Sequence, residues 1–368
     1  MIETVIDNAG NLKQVAIKIY EGKRLTFEDG VSLYKSDNLS LLASLALFRK
    51  NRISGKKVFF NRNFHIEPTN ICVFGCKFCS YRRKKDDRDA WDFDIPEMLN
   101  ICERYVGQSI TEVHIVGGVH PRRDLHFYGE LVQKIKTVLP DVHIKGFTAV
   151  ELDYMIRNAG YDIAQGLKIL KDYGLDSIPG GGAEIFDETV RRKICGDKAP
   201  SQLWLRIHEA AHNAGLPSNA SMLYGHIETY EHRIDHLERL RRLQDKTGGF
   251  NAFIPLKYKN ANNSMSNIGE INAAEVLKNF AVCRLYLDNI PHIKSYWPML
   301  GKNTAQLALS FGADDVDGTI DDSTKIYSMA GSEETSPSMT VSEMIKLVSS
   351  AGFTPVERDS LYNEIKIY

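Results

Sequence analysis

Three cysteines lie within eight residues of the chain, at Cys72, Cys76 and Cys79. This CxxxCxxC spacing supplies three thiolates from one short loop. A cubic 4Fe-4S cluster has four irons and takes one ligand on each, so the loop leaves one iron without a protein ligand. An iron with an open position can bind a substrate or cofactor, as open catalytic metal sites do. The loop therefore predicts an iron-sulfur site that performs chemistry.

Other uses of these thiols fit the sequence less well. A structural zinc site usually joins two CxxC-like knuckles, or one knuckle and a histidine pair. The sequence has no second knuckle, and His65 is the only histidine close to the loop. The tight spacing also disfavours a secreted disulfide framework, and the chain start lacks a charged segment followed by an apolar run. A closed carrier with four thiolates remains an alternative, but it would have to recruit a distant cysteine.

The three isolated cysteines are not expected to bind a cluster. Cys102 and Cys283 follow apolar residues at helical spacing, which predicts small core residues. Cys195, beside Gly196 at a predicted helix end, is expected to be more exposed. It has no ligand partner nearby in the sequence.

Length and charge are typical of an enzyme that acts on a small molecule. The 368 residues fit either two domains or one barrel with extensions. With 46 basic and 47 acidic residues the net charge is −1, so no overall field attracts nucleic acid or an anionic membrane. The longest apolar run, 39–48, is interrupted by Ser40 and Ser44 and falls far short of the ~20 residues of a membrane span. We expect a soluble, cytoplasmic protein, in a compartment where thiols stay reduced.

Strand-like runs alternate with amphipathic helical stretches along the chain, which predicts a parallel sheet wrapped by helices. Eight such units indicate a closed (β/α)8 barrel of the TIM type, with an active site at the carboxyl ends of the strands. The cysteine loop follows the first predicted strand, as that rule requires. The predicted strands are 64–68, 112–117, 143–149, 176–184, 219–225, 251–258, 292–297 and 313–318.

Helical segments are predicted on both sides of the barrel, which divides the chain into 1–60, 61–320 and 321–368. Residues 1–60 read as a helical cap, in which Asp37 and Asn38 can begin a helix with an apolar stripe. After the barrel, residues 321–339 are expected to form a surface loop or lid. Thr340 and Glu343 then form a capping box that opens a final helix.

Glycine-rich segments end the second, third and fourth predicted strands. Gly117 and Gly118, followed by His120 and Pro121, would let a ligand approach the backbone closely. Three glycines at 180–182 would weaken a sheet unless backbone or ligand comes close. Three side chains beside these segments are candidates for holding a cofactor, with helix capping or salt bridging as the alternative for the carboxylates: Thr148, Glu151 and Glu184.

The cysteine spacing, with Phe78 before the last cysteine, resembles the radical S-adenosylmethionine (SAM) enzymes. The resemblance implies that the amino and carboxylate groups of SAM chelate the fourth iron, and that one electron releases a 5′-deoxyadenosyl radical. The Gly117-Gly118 strand end is similar to the motif that receives the methionine amino group. This chain has Val119 and His120 where many members carry a single Glu, so the role of His120 stays open.

The motifs together resemble the aminofutalosine synthase family of the futalosine route to menaquinone. Two sister families share the cluster loop and the GGGAE run: cyclic dehypoxanthinyl futalosine synthase and the radical subunits of deazaflavin (FO) synthase. The segments 301–303 and 226–229 favour the first family. The resemblance covers nearly the whole chain, through 65–68, 147–151, 180–186, 222–228, 254–258 and 314–319.

This resemblance implies a specific reaction. The 5′-deoxyadenosyl radical would add to 3-[(1-carboxyvinyl)oxy]benzoate; aryl migration and loss of a carboxyl group would then give 6-amino-6-deoxyfutalosine and methionine. SAM would be consumed, and an external donor such as flavodoxin or ferredoxin would reduce the cluster. A site for two carboxylates needs basic groups and backbone donors. The candidates for substrate contacts are His120, Tyr224, His226 and Lys257. Tyr224 could instead simply pack, His226 could be a hydrogen-bonded histidine of the barrel, and Lys257 could be a solvated lysine at a strand end.

Two alternatives from different classes stay open at this stage. One is a sister radical SAM enzyme that releases free 5′-deoxyadenosine. The other is an iron-sulfur carrier without catalytic activity. The glycines at consecutive strand ends argue against a carrier, because a carrier needs no room for a second ligand.

Overall fold

The computed structural model describes residues 2–321 and 325–368. Its strands are β1 (Lys57–Asn61), β2 (Asn63–Ile66), β3 (Glu112–Ile115), β4 (His143–Gly146), β5 (Ser218–Tyr224), β6 (Phe250–Lys257), β7 (His292–Ile293), β8 (Asp315–Gly318), β9 (Thr354–Arg358) and β10 (Glu364–Ile367). The helices before β5 are α1 (Ile2–Asp7), α2 (Lys13–Glu21), α3 (Phe27–Tyr34), α4 (Leu39–Ser54), α5 (Ile95–Glu103), α6 (Leu125–Val138), α7 (Ala149–Asn158), α8 (Ile163–Asp172), α9 (Glu188–Cys195) and α10 (Ser201–Asn213). Those after it are α11 (Tyr230–Thr247), α12 (Ala273–Tyr286), α13 (Trp297–Leu300), α14 (Lys302–Ala308), α15 (Ile326–Met329) and α16 (Val341–Ser350).

The strands close into a parallel ring. β2 pairs with β3 and β3 with β4, while β5 pairs with β6 and β6 with β7. Single bridges at Ser177 and Ile178 join β4 to β5, and a bridge from Lys294 to Asp315 joins β7 to β8. β8 pairs with β1, which continues into β2 across Arg62. The predicted eight-position barrel is therefore confirmed.

Alternation along each strand separates the barrel interior from the surrounding helices. In β3, Val113 and Ile115 are fully buried, whereas Glu112 and His114 line the central cavity. Successive side chains of a strand point to opposite faces, so one face packs on helices and the other fills or lines the barrel. The polar groups of the interior thus occupy the inward positions of apolar strands.

Three strand predictions need correction. The seventh predicted strand, 292–297, shortens to β7, and Trp297 already begins α13. Strand structure begins at Lys57 rather than at 64, so the helices of the cap end with α4 at Ser54. The fourth predicted strand, 176–184, is reduced to the bridges at Ser177 and Ile178. Pro179 has no N–H to donate, and the glycines after it favour irregular backbone, which explains why regular pairing stops there.

The two capping predictions are confirmed. The Asn38 side chain accepts from the Leu41 N–H at the start of α4, at 3.0 Å. Thr340 and Glu343 form the capping box of α16. Of the predicted loop 321–339, residues 322–324 lie outside the described residues, and α15 forms within the remainder. No helix among the described residues is long and apolar enough to cross a membrane.

The C-terminal strands β9 and β10 were not predicted. β9 runs parallel to β1 with Thr354 opposite Lys57, and β10 returns antiparallel. Arg358 at the end of β9 reaches Asp315 of β8, with its Nε 2.7 Å from Oδ2. Both side chains are almost fully buried, at 1% and 0% exposure. This ion pair ties the C-terminal hairpin to the barrel.

Replacing Arg358 with Met should lower the free energy of unfolding by about 3–5 kcal/mol, because Asp315 would keep a buried charge without its partner. Chemical denaturation measures this change. Arg24→Ala is the matched control: its ion pairs with Asp245 and Asp288 lie at the surface, and their loss should cost about 1 kcal/mol or less. Equal losses in the two variants would contradict a structural role for the buried pair.

Candidate active site

The three predicted cluster cysteines face one recess at the carboxyl end of the barrel. Cys72, Cys76 and Cys79 are partly exposed and carry free thiols. The cluster loop, as we call residues 72–79, follows β2. The other walls of the recess come from the ends of neighbouring strands and from one lysine: Gly117, Gly118, Val119, Thr148, Val150, Glu151, Gly182 and Lys198. Three thiols from one loop on one recess fit a 4Fe-4S cluster that has a thiolate on three irons and an open position on the fourth.

Backbone hydrogen bonds hold the cluster loop from three sides. The Cys72 N–H donates to the Arg83 carbonyl at 3.2 Å, and the Val73 N–H donates to the Val119 carbonyl at 3.0 Å. The Lys77 N–H donates to the last turn of α9 at 2.8 Å. Main-chain contacts therefore position the loop, and the Gly75 N–H adds a hydrogen bond to the Asp197 carboxylate at 2.5 Å.

The paired glycines let the end of β3 touch the backbone that precedes the cluster loop. A Cβ on Gly118 would lie 2.4 Å from the Ile71 carbonyl oxygen, and one on Gly117 would lie 2.8 Å from that of Thr69. Neither space admits a side chain. The Gly118 N–H donates to the Thr69 carbonyl at 2.7 Å. The two glycines are needed here for close approach.

Thr148 and Glu151 form the capping box of α7 and also line the recess. Glu151 accepts from the Thr148 N–H and hydroxyl, each at 2.7 Å, and from the Gly117 N–H at 3.2 Å. Burial raises the pKa of the Glu151 carboxyl to about 7, against the hydrogen bonds that favour its charged form. Glu151 therefore caps the helix, as the alternative for this carboxylate predicted, and it also faces the cofactor site.

Lys198 is a partly buried cation beside the thiols. Its Nζ lies 2.6 Å from Glu184 and 5.3 Å from the centre of the Phe78 ring. Burial disfavours its charge, but Cys76 and Glu184 outweigh burial and hold the pKa of Lys198 well above its ordinary value. Lys198 was not identified from the sequence, because this residue follows α9 and belongs to none of the recognised motifs.

Cys195 corrects one expectation. It is buried, at 3% exposure, because the last turn of α9 packs against the cluster loop. Burial also raises the pKa of its thiol to about 11. Cys102 and Cys283 are buried in the core, as predicted.

A larger cavity occupies the barrel interior and adjoins the recess. Thr148 lines both spaces, while Gly180 and Gly181 line the cavity and Gly182 lines the recess. The cavity wall also includes His65, Glu112, His114, Val116, Lys145, Pro179, Asn219, Ser221, Ile254, Leu256, Lys294, Tyr296, Asp317, Ile326 and Tyr327. Thr148 and the glycine run therefore lie at the border between the cavity and the recess.

Ion pairs neutralise the charges on the cavity wall. Lys145 Nζ lies 2.6 Å from Glu112, and Lys294 pairs with Asp317. Burial opposes ionisation, yet the Lys294 ammonium lowers the pKa of Asp317 to about 2. Burial also holds the pKa of His114 well below its ordinary value, so this imidazole is neutral at pH 7.

Two of the residues predicted to contact the substrate line neither the cavity nor the recess, and each pairs with a nearby carboxylate. His120 Nε2 is 3.3 Å from Asp92, and Lys257 Nζ is 2.6 Å from Glu270. The carbonyl of the neighbouring Pro121 accepts from a tyrosine hydroxyl at 3.3 Å. None of these three residues lines the cavity or the recess.

The other two predicted contacts are also placed elsewhere. Tyr224 is fully buried, with the Arg233 guanidinium 5.2 Å from its ring centre. His226 folds back on its own turn, where Nδ1 lies 3.1 Å from Glu228. The cavity wall offers other polar groups, such as His114 and Asn219, which sequence reasoning missed. Period-two alternation in β3 and β5 was the signal that could have found them.

Comparisons with known proteins agree with this geometry. Residues 66–240 match the model of the radical SAM superfamily, and residues 247–367 match the CofH/MqnC C-terminal region. The methylornithine synthase PylB shares the fold, with a TM-score of 0.74 at 18% identity over 92% of this chain and 96% of that one.

Two curated relatives are similar over nearly the full length. The aminodeoxyfutalosine synthase of Thermus thermophilus is 44% identical, covering 96% of each chain. That of Streptomyces coelicolor is 41% identical, over 98% of this chain and 96% of the relative. With its thiol-lined recess and its barrel, the chain belongs to the radical SAM superfamily and, within it, to the aminodeoxyfutalosine synthase family.

Proposed function

We propose that this enzyme joins the adenosyl part of SAM to 3-[(1-carboxyvinyl)oxy]benzoate, giving 6-amino-6-deoxyfutalosine for menaquinone synthesis, with release of methionine and loss of one carboxyl group. The observation that carries the proposal is that the thiol recess and the barrel cavity meet at Thr148. This arrangement suits two reactants that must combine. The two full-length relatives favour the synthase over the sister enzymes and over a carrier.

Cys72, Cys76 and Cys79 would hold the 4Fe-4S cluster. When bound, the cluster supplies the single electron that cleaves SAM. Around it, the predicted contacts to SAM that line the recess are Phe78, Gly117, Gly118, Thr148 and Glu151. Glu184 does not line the recess, but its carboxylate pairs with Lys198, which does. Pro121 shapes the exit from β3 and stays a prediction.

The cavity suits an aromatic acid. Ile254 and Leu256 give it an apolar side, and the Tyr296 and Tyr327 rings lie 5.2 Å apart on its wall. Such surfaces bind an aryl ring and exclude water from a reactive centre. Roles in substrate binding for His120, Tyr224, His226 and Lys257 stay predictions from the sequence.

The remaining parts of the proposal concern the electron donor and the location. Lys84, Lys85 and Arg88 follow the cluster loop closely, are exposed, and form no ion pair within the described residues; with Asp86 and Asp87 between them, residues 84–88 carry three positive and two negative charges. Such cations favour docking of an acidic donor such as flavodoxin or ferredoxin. A cytoplasmic location, where thiols stay reduced, completes the proposal.

The first test is product formation. With a reconstituted cluster, dithionite, SAM and 3-[(1-carboxyvinyl)oxy]benzoate, mass spectrometry should show a new species that contains both the adenosyl and the aryl parts. Methionine should appear in equal amount. Free 5′-deoxyadenosine without the adduct would instead indicate a sister enzyme, and neither product would indicate a carrier.

A second prediction concerns the cluster ligands. Cys76→Ala should abolish the visible absorbance of the reconstituted 4Fe-4S cluster, because one iron loses its thiolate. Cys195→Ala, a buried thiol near the same loop, should retain it. Loss of absorbance in both variants to the same extent would refute the assignment of three ligands from one loop.

A third prediction concerns the donor surface. The charge reversals Lys85→Glu and Arg88→Glu together should slow cluster reduction by a reduced acidic flavodoxin about 10-fold at low salt, and the difference should shrink as salt screens the charges. Reduction by dithionite should not change. The matched control reverses Lys56 and Arg206, which are exposed and unpaired elsewhere on the described surface. Equal slowing in both double variants would contradict a specific docking face.

A further inference from the structure

Two polar side chains on the cavity wall have no hydrogen-bond partner within the described residues. One is His114, whose buried Nε2 is unpaired and whose ring packs edge-on against His65 with 4.8 Å between ring centres. The other is the side-chain amide of Asn219, which is 5% exposed. Buried polar groups in native proteins are almost always satisfied. The unsatisfied Nε2 of His114 on the cavity wall therefore indicates a polar ligand, and the Asn219 amide lies on the same wall where it can bind that ligand too.

These two residues lie deep in the barrel, away from the recess. His114 sits at the level of His65 and Lys145 in the register of the first three strands. Asn219 is the second residue of β5. Val116 lies two residues after His114, and Thr148 lies three residues after Lys145, so both are nearer the carboxyl ends of the strands. Thr148 also borders the recess. The cavity thus has a polar floor and a more apolar mouth.

The floor favours a carboxylate without carrying a net charge. The ammonium groups of Lys145 and Lys294 border it, and each is matched by one carboxylate. A neutral imidazole and an amide can each donate one N–H to a carboxylate oxygen. Hydrogen bonds to a charged acceptor are stronger than those between neutral groups. Because Glu112 and Asp317 line the same cavity and neutralise the two lysines, the neutral N–H donors supply the binding of a carboxylate.

The substrate of the proposed reaction has two carboxylates with different fates. The carboxylate on the aromatic ring stays in the product, whereas the one on the vinyl ether is lost. The vinyl carbon must meet the 5′ carbon of SAM, so it belongs at the mouth beside the recess. A group that takes no part in the chemistry can be held by fixed donors at the far end, where its binding energy orients the rest.

We propose that His114 and Asn219 bind the ring carboxylate, so that the substrate enters with this end first and presents its vinyl ether to the recess at Thr148. The inference rests on the proposed function and adds an orientation to it. The retained carboxylate lies on the floor, the ring lies between the apolar walls, and the carboxylate that is lost lies at the mouth. The enzyme therefore selects substrates by the ring carboxylate.

The test compares 3-[(1-carboxyvinyl)oxy]benzoate with 2-phenoxyacrylate, which lacks the ring carboxylate. His114→Phe keeps a similar ring and removes both nitrogens, and should raise KM for the full substrate about 10- to 100-fold. KM for 2-phenoxyacrylate should hardly change. His114→Gln, which keeps an N–H donor, should restore part of the loss. Equilibrium dialysis of labelled substrate on the SAM-bound enzyme without reductant gives the same comparison independently of turnover.

Asn219→Leu is a second variant of similar size and should show the same selective loss if His114→Phe folds poorly. His212→Phe is the matched control, a largely buried histidine outside the cavity whose ring bonds Thr247 and Ser218. It should leave both KM values unchanged. Cluster absorbance and the thermal midpoint verify folding of every variant.

The outcomes separate the two proposals. If the wild-type enzyme forms the adduct but the His114 and Asn219 variants weaken both compounds equally, the orientation is overturned and the function stands. If the wild-type enzyme forms no adduct with the full substrate, the function and the orientation fall together. A loss confined to the compound that carries the ring carboxylate supports both.

Discussion

The contact between the end of β3 and the backbone before the cluster loop is the constraint on which the site depends. A Cβ at Gly118 would meet the Ile71 carbonyl at 2.4 Å, so only glycine lets the two segments touch. This contact places Cys72 beside Val119 and turns the thiols towards the strand ends. The α7 capping box joins the same point, because Glu151 accepts from the Gly117 N–H. Loop, strand end and helix start are thereby held together by protein contacts.

A second constraint is the cost of charge inside the barrel. Lys145 and Lys294 face the interior, where an unpaired ammonium would be strongly destabilising, and each has a carboxylate partner on an adjacent strand. Arg358 extends the same principle to the C-terminal hairpin through Asp315. Apolar residues of similar size could fill this space at equal or lower free energy. The ion pairs keep the interior polar, which suits the polar ligand that we propose for it.

Much of the fold, and the cluster loop, could be predicted from local patterns. Cysteine spacing, paired glycines and capping boxes act over a few residues, and the strands alternate with helices in a regular order. The lining of the cavity could not be predicted, because it depends on which face of each strand turns inward after the ring closes. His226 and Lys257 lie at strand ends as expected, but each pairs with a nearby carboxylate. His226 pairs with Glu228, and Lys257 pairs with Glu270. The hairpin of β9 and β10 was missed because its pairing with β1 spans almost the whole chain.

The late part of the chain completes the cavity, which explains why the active site is not confined to the barrel. The Lys325 N–H donates to both oxygens of Glu67 at 3.0 Å, next to the segment that leads into the cluster loop. The following turn carries Tyr327 against Tyr296, so one wall of the cavity depends on contacts made after the last barrel strand. The cavity therefore takes its final shape only when the C-terminal region has docked. A barrel without this region would offer the thiol recess but lack the aromatic wall that suits an aryl substrate.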